Sequence, residues 1–510
     1  MGSTRSRTIA IVGAGFSGTA LAYRLLRSTH VVPTRVVLIE RAPRFGPGLA
    51  YSAPAAGTTL NVPAGRMSID EARPGDLLEY LNARGNSVTP EDSVTPEEFV
   101  PRTLYGDYLE ERLADAARAA SPRAQLTRMN RAATGVSRAE AGSCWSVTLD
   151  DGSTVLADSV VLAMGHCPPR PIPGFDSLAG TGLYENDPWK APVIRKRRAR
   201  VLLLGTGLTM ADVACRLSRS SHPPREIVAM SRRGLMPRLR HKVAPRAPSV
   251  PLGLERLQRA STLRSMVAEA RAVMRRAVAA GIDWRDVMLE LRAQAPALWQ
   301  RLSAADKARF LRHVQPYWDV HRHQLPPVVS RTLDELLQSR RLSVRAGRVT
   351  AVRLLNGRAE VTMQPRHQRG TETHLFDLVI NCSGPDSDPT RAESRLMRML
   401  LTEGRVVACP TGTGLCVDMA CRVLGRNGKA WPGLYYLGPW LKARDFEATA
   451  VQELRAQATA LTARLLAEPR PAPSLLRRLL GLRAPLPARR SARTTAGALT
   501  GDHSAATGAK

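Results

Sequence analysis

Two stretches with one pattern organise this chain. IAIVGAGFSG at 9–18 and VLLLGTGLTM at 201–210 are each a short aliphatic run, then glycines, then a segment with helical spacing. Uninterrupted apolar runs bounded by glycine predict strands buried on both faces, as in a parallel sheet. VVLIE at 36–40 predicts the next strand of the first unit, and REIVAMS at 225–231 that of the second. Both spacings suit a strand–helix–strand unit of about 30 residues. Further strands are predicted at 144–149, 155–163, 342–354, 359–364 and 375–382, with Asp150, Asp151 and Gly152 turning between the first two. From 254 to 316 the pattern changes: Leu263, Met266, Val267, Ala270, Val273 and Met274 follow a three-four spacing with arginines opposite, which predicts a helical insertion serving as a lid or dimer face. After about residue 468 the chain turns to Pro, Arg, Ala, Thr and Ser, a composition expected to be disordered, with LLRRLLGLR at 475–483 as the frayed end of a helix.

The glycines carry the first chemical signal. Gly13, Gly15 and Gly18 stand directly after a strand and before a helix, with Phe16 and Ser17 between them. In that context they permit a tight turn, backbone approach to a pyrophosphate, and close helix–sheet packing. The helix N-terminus adds NH groups and a positive dipole end. Glu40, ending the second strand, is placed to accept from ribose hydroxyls, and Arg41 follows it. The set points to an adenine dinucleotide. In the second loop Gly205, Gly207 and Thr209 remain, but Met210 stands where a third glycine would be. After the next strand, Ser231, Arg232 and Arg233 replace the acidic residue that a ribose 2'-hydroxyl would need. Two guanidiniums would favour a 2'-phosphate, and so NADPH over NADH, by roughly a hundredfold. VVLAMGHCP at 160–168, containing Gly165, and LVINCSGPD at 378–386 are apolar strands ending at glycine that bracket the second loop, so the first nucleotide domain is expected to be discontinuous.

Composition narrows the class. Hydrophobic residues at 44% and charged residues at 23% are ordinary for a globular chain, and 510 residues allow two or three domains. The net charge of +30 comes almost wholly from arginine, since seven of the 74 basic residues are lysine. These arginines are spread along the chain without an aromatic-interleaved stripe, so no nucleic-acid partner is expected. Seven cysteines without a paired framework suit a reducing, cytoplasmic setting. No apolar stretch is long enough for stable membrane insertion. Cys416 and Cys421 have a CxxxxC spacing, but Leu415, Val417 and Met419 between and beside them alternate like a strand, which argues against a dithiol relay. His313, His321 and His323 lack the partners that would complete a metal site, so no metal is expected. Asp70, Glu71, Glu97 and Glu98 are read as a solvated loop.

Several longer stretches resemble the two-dinucleotide-binding-domain flavoproteins, and among them a bacterial FAD/NAD(P)-binding, YdhS-like family related to flavin monooxygenases: ERAPRFGPGLAYS (40–52), LNVPAGRMS (60–68), FVPRTLYGDYL (99–109), GTGLTMAD (205–212), PYWDVHRHQLPP (316–327) and GLYYLGPW (433–440). The resemblance implies FAD at the first loop and NADPH at the second. It implies that Gly46, Pro47, Gly48 and Asn61 line the flavin, with Arg102 and Tyr105 nearby, so that Asn61 and Arg102 become the catalytic candidates. It departs at Gly438, which Pro439 follows where the wider group has aspartate; the ribityl contact is then expected from NH groups near 447–451. LAGTGLYENDPW (178–189) resembles the fingerprint of Baeyer–Villiger and N-hydroxylating enzymes, with Tyr184 in place of histidine.

The expected fold is α/β: two doubly wound Rossmann-like domains, a discontinuous FAD domain at 1–192 and 370–468 and an inserted NADP domain at 193–369 carrying a helical insertion at 254–325, with a disordered basic tail at 469–510. The expected activity is that of an FAD-dependent, NADPH-using oxidoreductase, a monooxygenase acting on a small metabolite. A flavin reductase or dehydrogenase, or a non-catalytic flavin-binding protein, are the alternatives, and an oligomer is compatible with the sequence.

Overall fold

Aliphatic strands followed by glycine become parallel strands whose two faces are both covered. In the computed structural model, which describes residues 6–52, 57–84, 93–139, 144–190, 196, 198–240 and 252–467, β1 (Arg7–Val12), α1 (Phe16–Arg27) and β2 (Thr34–Glu40) form the first such unit. After α2 (Asp76–Arg84) and α3 (Arg102–Arg118), β3 (Ala124–Asn130) joins β2 in parallel. A small antiparallel sheet follows, of β4 (Ala133–Arg138), β5 (Trp145–Leu149) and β6 (Thr154–Ala157), and then β7 (Ser159–Leu162) returns to the other side of β1.

The second unit repeats this plan. It runs through β8 (Tyr184–Glu185), β9 (Arg200–Leu204), α4 (Leu208–Ser218) and β10 (Glu226–Ser231). The helical insertion then comes as α5 (Glu255–Arg259), α6 (Leu263–Ala279), α7 (Trp284–Arg301), α8 (Ala304–Arg309), a π-helical turn at Phe310–Val314, and α9 (Gln315–Arg322). From α10 (Pro327–Gln338) the chain enters β11 (Leu342–Leu355), β12 (Arg358–Pro365), β13 (Glu372–Phe376) and the returning strand β14 (Leu378–Asn381). After α11 (Arg395–Thr402), β15 (Arg422–Leu424) and β16 (Ala430–Tyr436) rejoin the first sheet, and α12 (Val451–Ala467) packs on α1.

The strand orders are β15-β16-β7-β1-β2-β3 and β13-β12-β11-β10-β9-β14-β8. From β1 in the first and β9 in the second, the chain moves outward and later returns on the other side as β7 and β14, which opens a crevice at the C-terminal edge. The expected doubly wound folds are therefore present, with the outer strands of the second sheet antiparallel. β12 alternates buried and half-buried positions, whereas β7 and β14 are buried throughout, as their one- and two-sided coverage requires. The second sheet is wider than the expected 193–369: β8 precedes that range, and β13 and β14 follow it, because Val379 and Ile380 pair with Tyr184 and Glu185. Both sheets lie within one compact unit, Met1–Pro471. The segment 469–510, including LLRRLLGLR, lies outside the described residues. Among the described residues no helix is long and apolar enough to cross a membrane.

The insertion is docked on the first sheet's side of the molecule. Phe446 inserts among Trp299, Phe310 and Trp318, with ring centroids 5.0, 5.0 and 6.4 Å away. Trp299 Nε1 donates to the Ala443 carbonyl at 3.0 Å. Two loops at the edge of the first sheet are also tied together. Buried Tyr436 donates its hydroxyl to the Met164 carbonyl (2.9 Å) and accepts from the Trp440 amide (3.1 Å). Tyr436→Phe strands both backbone groups and is expected to cost about 1–3 kcal/mol. Urea melts of wild type and variant measure this, and equal midpoints would contradict it.

Candidate functional site

The first glycine loop is shaped by its neighbours. A Cβ on Gly13, whose φ is +106°, would lie 2.5 Å from the Ala163 carbonyl oxygen at the end of β7, and one on Gly18 would lie 1.9 Å from the Gly13 carbonyl oxygen. Gly15 and Gly48 face each other: a Cβ on Gly48 would come within 2.8 Å of the Gly15 Cα. Phe16 and Ser17, opening α1, are buried. Glu40 accepts from the amides of Ala14 (2.7 Å) and Ala42 (2.9 Å), one on each carboxylate oxygen, so each oxygen keeps a lone pair for a ribose hydroxyl. Arg41 is exposed beside it. Gly165 is exposed with open space in front of it, and Gly438 reaches the same edge through the paired ends of β7 and β16. Asn61 is half-buried, and its amide makes no hydrogen bond among the described residues.

The second loop repeats the contact at its first glycine. A Cβ on Gly205 (φ +123°) would meet the Cys382 carbonyl oxygen at 2.3 Å, just after β14. Gly207 is exposed and open at the N-terminus of α4, with Thr209 half-buried in its first turn. Met210, at the place of the third glycine, is fully buried in the core beneath α4, so helix and loop meet differently here than at Gly18. The two arginines diverge. Arg232 is exposed and makes no hydrogen bond or ion pair among the described residues, whereas Arg233 donates to the Arg312 carbonyl (2.9 Å) and lies over the Tyr317 ring. A cavity of 430 Å³ beside this edge is lined by Met230, Arg345 and Arg366 among others. Those two arginines carried no sequence signal in so basic a chain.

Between the loops, Arg102 is an ion pair rather than a free cation. Its guanidinium binds Asp212 of α4 at 2.9 Å and the Thr59 carbonyl at 3.1 Å, and faces the Trp189 ring. It links the two nucleotide units. Burial raises the Asp212 carboxyl, and Arg102 works against that rise.

The structure assembles a set of titratable groups that sequence reasoning did not bring together. His166, next to Gly165, is exposed, yet burial and then the Lys442 charge hold its imidazole down to about 4. Asp319 and His323, 3.7 Å apart, keep 37% and 39% of their side chains accessible. Burial nonetheless raises Asp319 to about 6, with Lys442 opposing, and lowers His323 to about 3, with Arg322 adding to it. All three are solvent-accessible in part, and His166 follows Gly165 at the crevice end of β7. Glu447 sits beside Asp319 and His323: burial disfavours its charge, but Arg322 at 2.6 Å and the Trp318 indole at 2.8 Å hold the carboxyl below its usual range.

Other candidates fall elsewhere. Tyr184 binds Asn186 and stacks on Phe175 in the second sheet's core. His321 packs edge-on to Trp284, and His313 is exposed. Among the described residues no group of His, Cys, Asp and Glu could hold a metal ion. Asp70 departs from the expected solvated loop: it is buried, with Arg24 at 3.4 Å and the Tyr23 hydroxyl at 3.2 Å. Hydrogen bonding from Cys416 foremost lowers the Cys409 thiol to about 5, while Cys421 lies under Arg444.

Residues 10–167 match a family model described as FAD-NAD(P)-binding. No curated protein matches the chain. Among solved structures it is similar to an L-lysine 6-monooxygenase of Pseudomonas syringae, with 16% identity, TM-score 0.60, and 91% of this chain and 100% of that one covered. It is likewise similar to the FAD-bound cadaverine monooxygenase of Erwinia amylovora (14%, TM-score 0.59, 97% and 98% covered) and to an ornithine N-hydroxylase of Kutzneria sp. 744 (16%, 0.58, 90% and 99%). At these identities the likeness shows the shared two-sheet fold.

Asp319 makes the site pH-sensitive. Its folded value of about 6 lies above the unfolded value near 3.9, so the folded state binds the proton more tightly and stability falls as pH rises between them. At a side chain over a third exposed the screened effect is about 1 kcal/mol. Asp319→Asn should gain that much on wild type across the window, read as the difference between paired urea melts at several pH values. Melts that stay parallel would remove the assignment.

Proposed function

We propose that the chain is an FAD-dependent, NADPH-using monooxygenase acting on a small metabolite, and a YdhS-like member of the FAD/NAD(P)-binding proteins working in the cytoplasm. The observation that carries the reading is the pair of glycine loops, each backed by its returning strand at Gly13 and Gly205 and linked through Arg102 and Asp212. The two domains proposed are the discontinuous one that holds FAD and the inserted one that holds NADPH. The similar structures support oxygen transfer over simple reduction, since they are hydroxylases and monooxygenases of ornithine, lysine and cadaverine.

Each residue has a definite task in this reading. Gly13, Gly15, Gly18 and the start of α1 hold the FAD pyrophosphate, and Glu40 its ribose. Gly205, Gly207 and Thr209 hold the NADPH pyrophosphate, and Arg232 the 2'-phosphate. Asn61 offers an amide to the flavin edge. Arg102 is a positioning residue, because its charge is engaged by Asp212. FAD, when bound, would accept hydride from NADPH and pass electrons to dioxygen. The docked insertion and Phe446 cluster restrict water around that edge.

Arg232→Ala should raise KM for NADPH about tenfold or more and leave that for NADH unchanged, while Arg233→Ala, already bonded to Arg312, should do less. Equal effects of the two substitutions would reassign the phosphate site. The chemistry is tested by following NADPH oxidation under isotope-labelled dioxygen with an amine or amino-acid substrate panel. Label in a product supports oxygen transfer; full recovery of the electrons as hydrogen peroxide, with every substrate, points to a reductase or oxidase. Failure of NADPH to bleach the flavin without oxygen would identify a binding protein.

A further inference from the structure

An arginine cluster stands where the segment after β10 meets α9. The segment Arg238–Arg240, just beyond the NADPH loop, pairs with the end of the insertion: the Arg238 amide donates to Val320, the Leu325 amide to Arg238, and the Arg240 amide to Leu325. This fixes Arg240 beside α9. Arg322 and Arg292 approach there and share Glu447, at 2.6 and 3.6 Å, and Arg292 also binds Glu453. Those two carboxylates neutralise those two arginines.

Arg240, Arg66 and Lys442 have no such partner. None makes an ion pair among the described residues, and Arg240 Nε is buried without a hydrogen bond. Arg66 closes the turn Ala64–Arg66 that follows Asn61, so it approaches from the flavin side. Burial foremost, and then the charges of Arg322, Arg66 and Arg292, lower Arg240 to about 10, so those three guanidiniums stand within electrostatic reach of it. Among the described residues of this cluster, five cations (Arg66, Arg240, Arg292, Arg322 and Lys442) stand with three carboxylates, Asp319, Glu447 and Glu453. His166 and His323 are held neutral near pH 7.

A guanidinium does not escape burial by losing its proton at neutral pH, so an unpaired one in a desolvated site calls for an anion from outside the chain. Its planar fork suits an oxyanion with two oxygens. The imbalance also disfavours a purely cationic ligand such as a diamine.

Taking this cluster as the substrate site of the reaction proposed above, we infer that the substrate carries an oxyanion, a carboxylate foremost, held by Arg240 and Arg66 while its reacting end lies towards Gly165 and Asn61. The substrate class is then an acid or amino acid rather than a diamine. Asp319, which accepts from Gln315 at 3.1 Å and makes no ion pair with Lys or Arg among the described residues, is the carboxylate open to a cationic group on the same molecule.

The test is calorimetric titration of the FAD-loaded full chain with glutarate, cadaverine and inorganic phosphate, a diacid, a diamine of equal chain length and a free oxyanion. Glutarate should bind at least about tenfold more tightly than cadaverine, and Arg240→Gln should remove that preference while FAD content and NADP+ affinity stay unchanged. Arg240→Lys should restore part of it, which separates charge from folding. Phosphate binding tighter than glutarate, and lost in Arg240→Gln, supports the site with a phosphorylated ligand. Cadaverine binding as tightly as glutarate, no binding by either oxyanion, or a loss of NADP+ affinity in Arg240→Gln without change for glutarate, overturns it. The readout needs no turnover: the glutarate preference without oxygen transfer refutes only the proposed reaction, and oxygen transfer without the preference refutes only the oxyanion site.

Discussion

Everything in the molecule depends on a steric limit at two backbone positions. A returning strand places a carbonyl oxygen so close to Gly13 and to Gly205 that a methyl group on either would overlap it, at 2.5 Å from Ala163 and 2.3 Å from Cys382. The glycine is therefore needed for two reasons at once: the positive φ of the turn, and the closeness of β7 or β14 behind it. That closeness makes the crevice, because the chain leaves its first strand in one direction and comes back on the other. The same limit explains why VVLAMG and LVINCSG follow one pattern. They are the strands that back the two loops.

With two crevices fixed, the rest of the chain sets how they meet. The pair Arg102–Asp212 joins the start of α3 to the first turns of α4, and so joins the two sites at their mouths. The insertion works from the other side. Its apolar stripe, Met266, Val273 and Ala277 among it, is buried within the insertion's own core, which also takes in Phe446 from beyond β16. The amphipathic insertion, expected as a lid or dimer face, is held to the chain beyond β16 through Phe446, and its last helix and the residue after it carry Asp319 and His323.

How much of this could be read from the sequence follows the range of the interactions. Gly13, Gly15, Gly18 and Glu40 lie within one local unit whose geometry is set by strand, turn and helix, so spacing alone located them. The strands from 342 onward were legible by the same periodicity, but their allegiance was not: β13 follows β12 as its hairpin partner, whereas β14 belongs to the second sheet through hydrogen bonds to β9 and β8 at distant positions, and nothing in an apolar run names its partner. The titratable cluster is harder still. Lys442, His166, Asp319 and Arg240 come from four separate segments, and in a chain with 74 basic residues a functional arginine looks like a surface one. Asp70 shows the converse: a carboxylate in a polar stretch that looks solvated is buried against Tyr23 and Arg24.

The missing third glycine of the second loop belongs with this. Met210 is buried beneath α4, so that helix cannot approach its loop as α1 does, and the loop needs other support. It comes from beyond β10. Ser231 accepts from the Gly234 amide at 3.0 Å and meets the Thr206 hydroxyl at 2.8 Å, which ties the end of the strand back to the glycine turn. Arg233 then reaches the Arg312 carbonyl in the π-helical turn, and Arg238 and Arg240 pair with Val320 and Leu325. The stretch from Arg232 to Arg240 is thereby one continuous strap, with the candidate 2'-phosphate contact at one end and the insertion's last helix at the other. A nucleotide seated at Arg232 and a substrate seated at Arg240 would bear on the same nine residues, and any coupling between them through this strap would act equally in both directions.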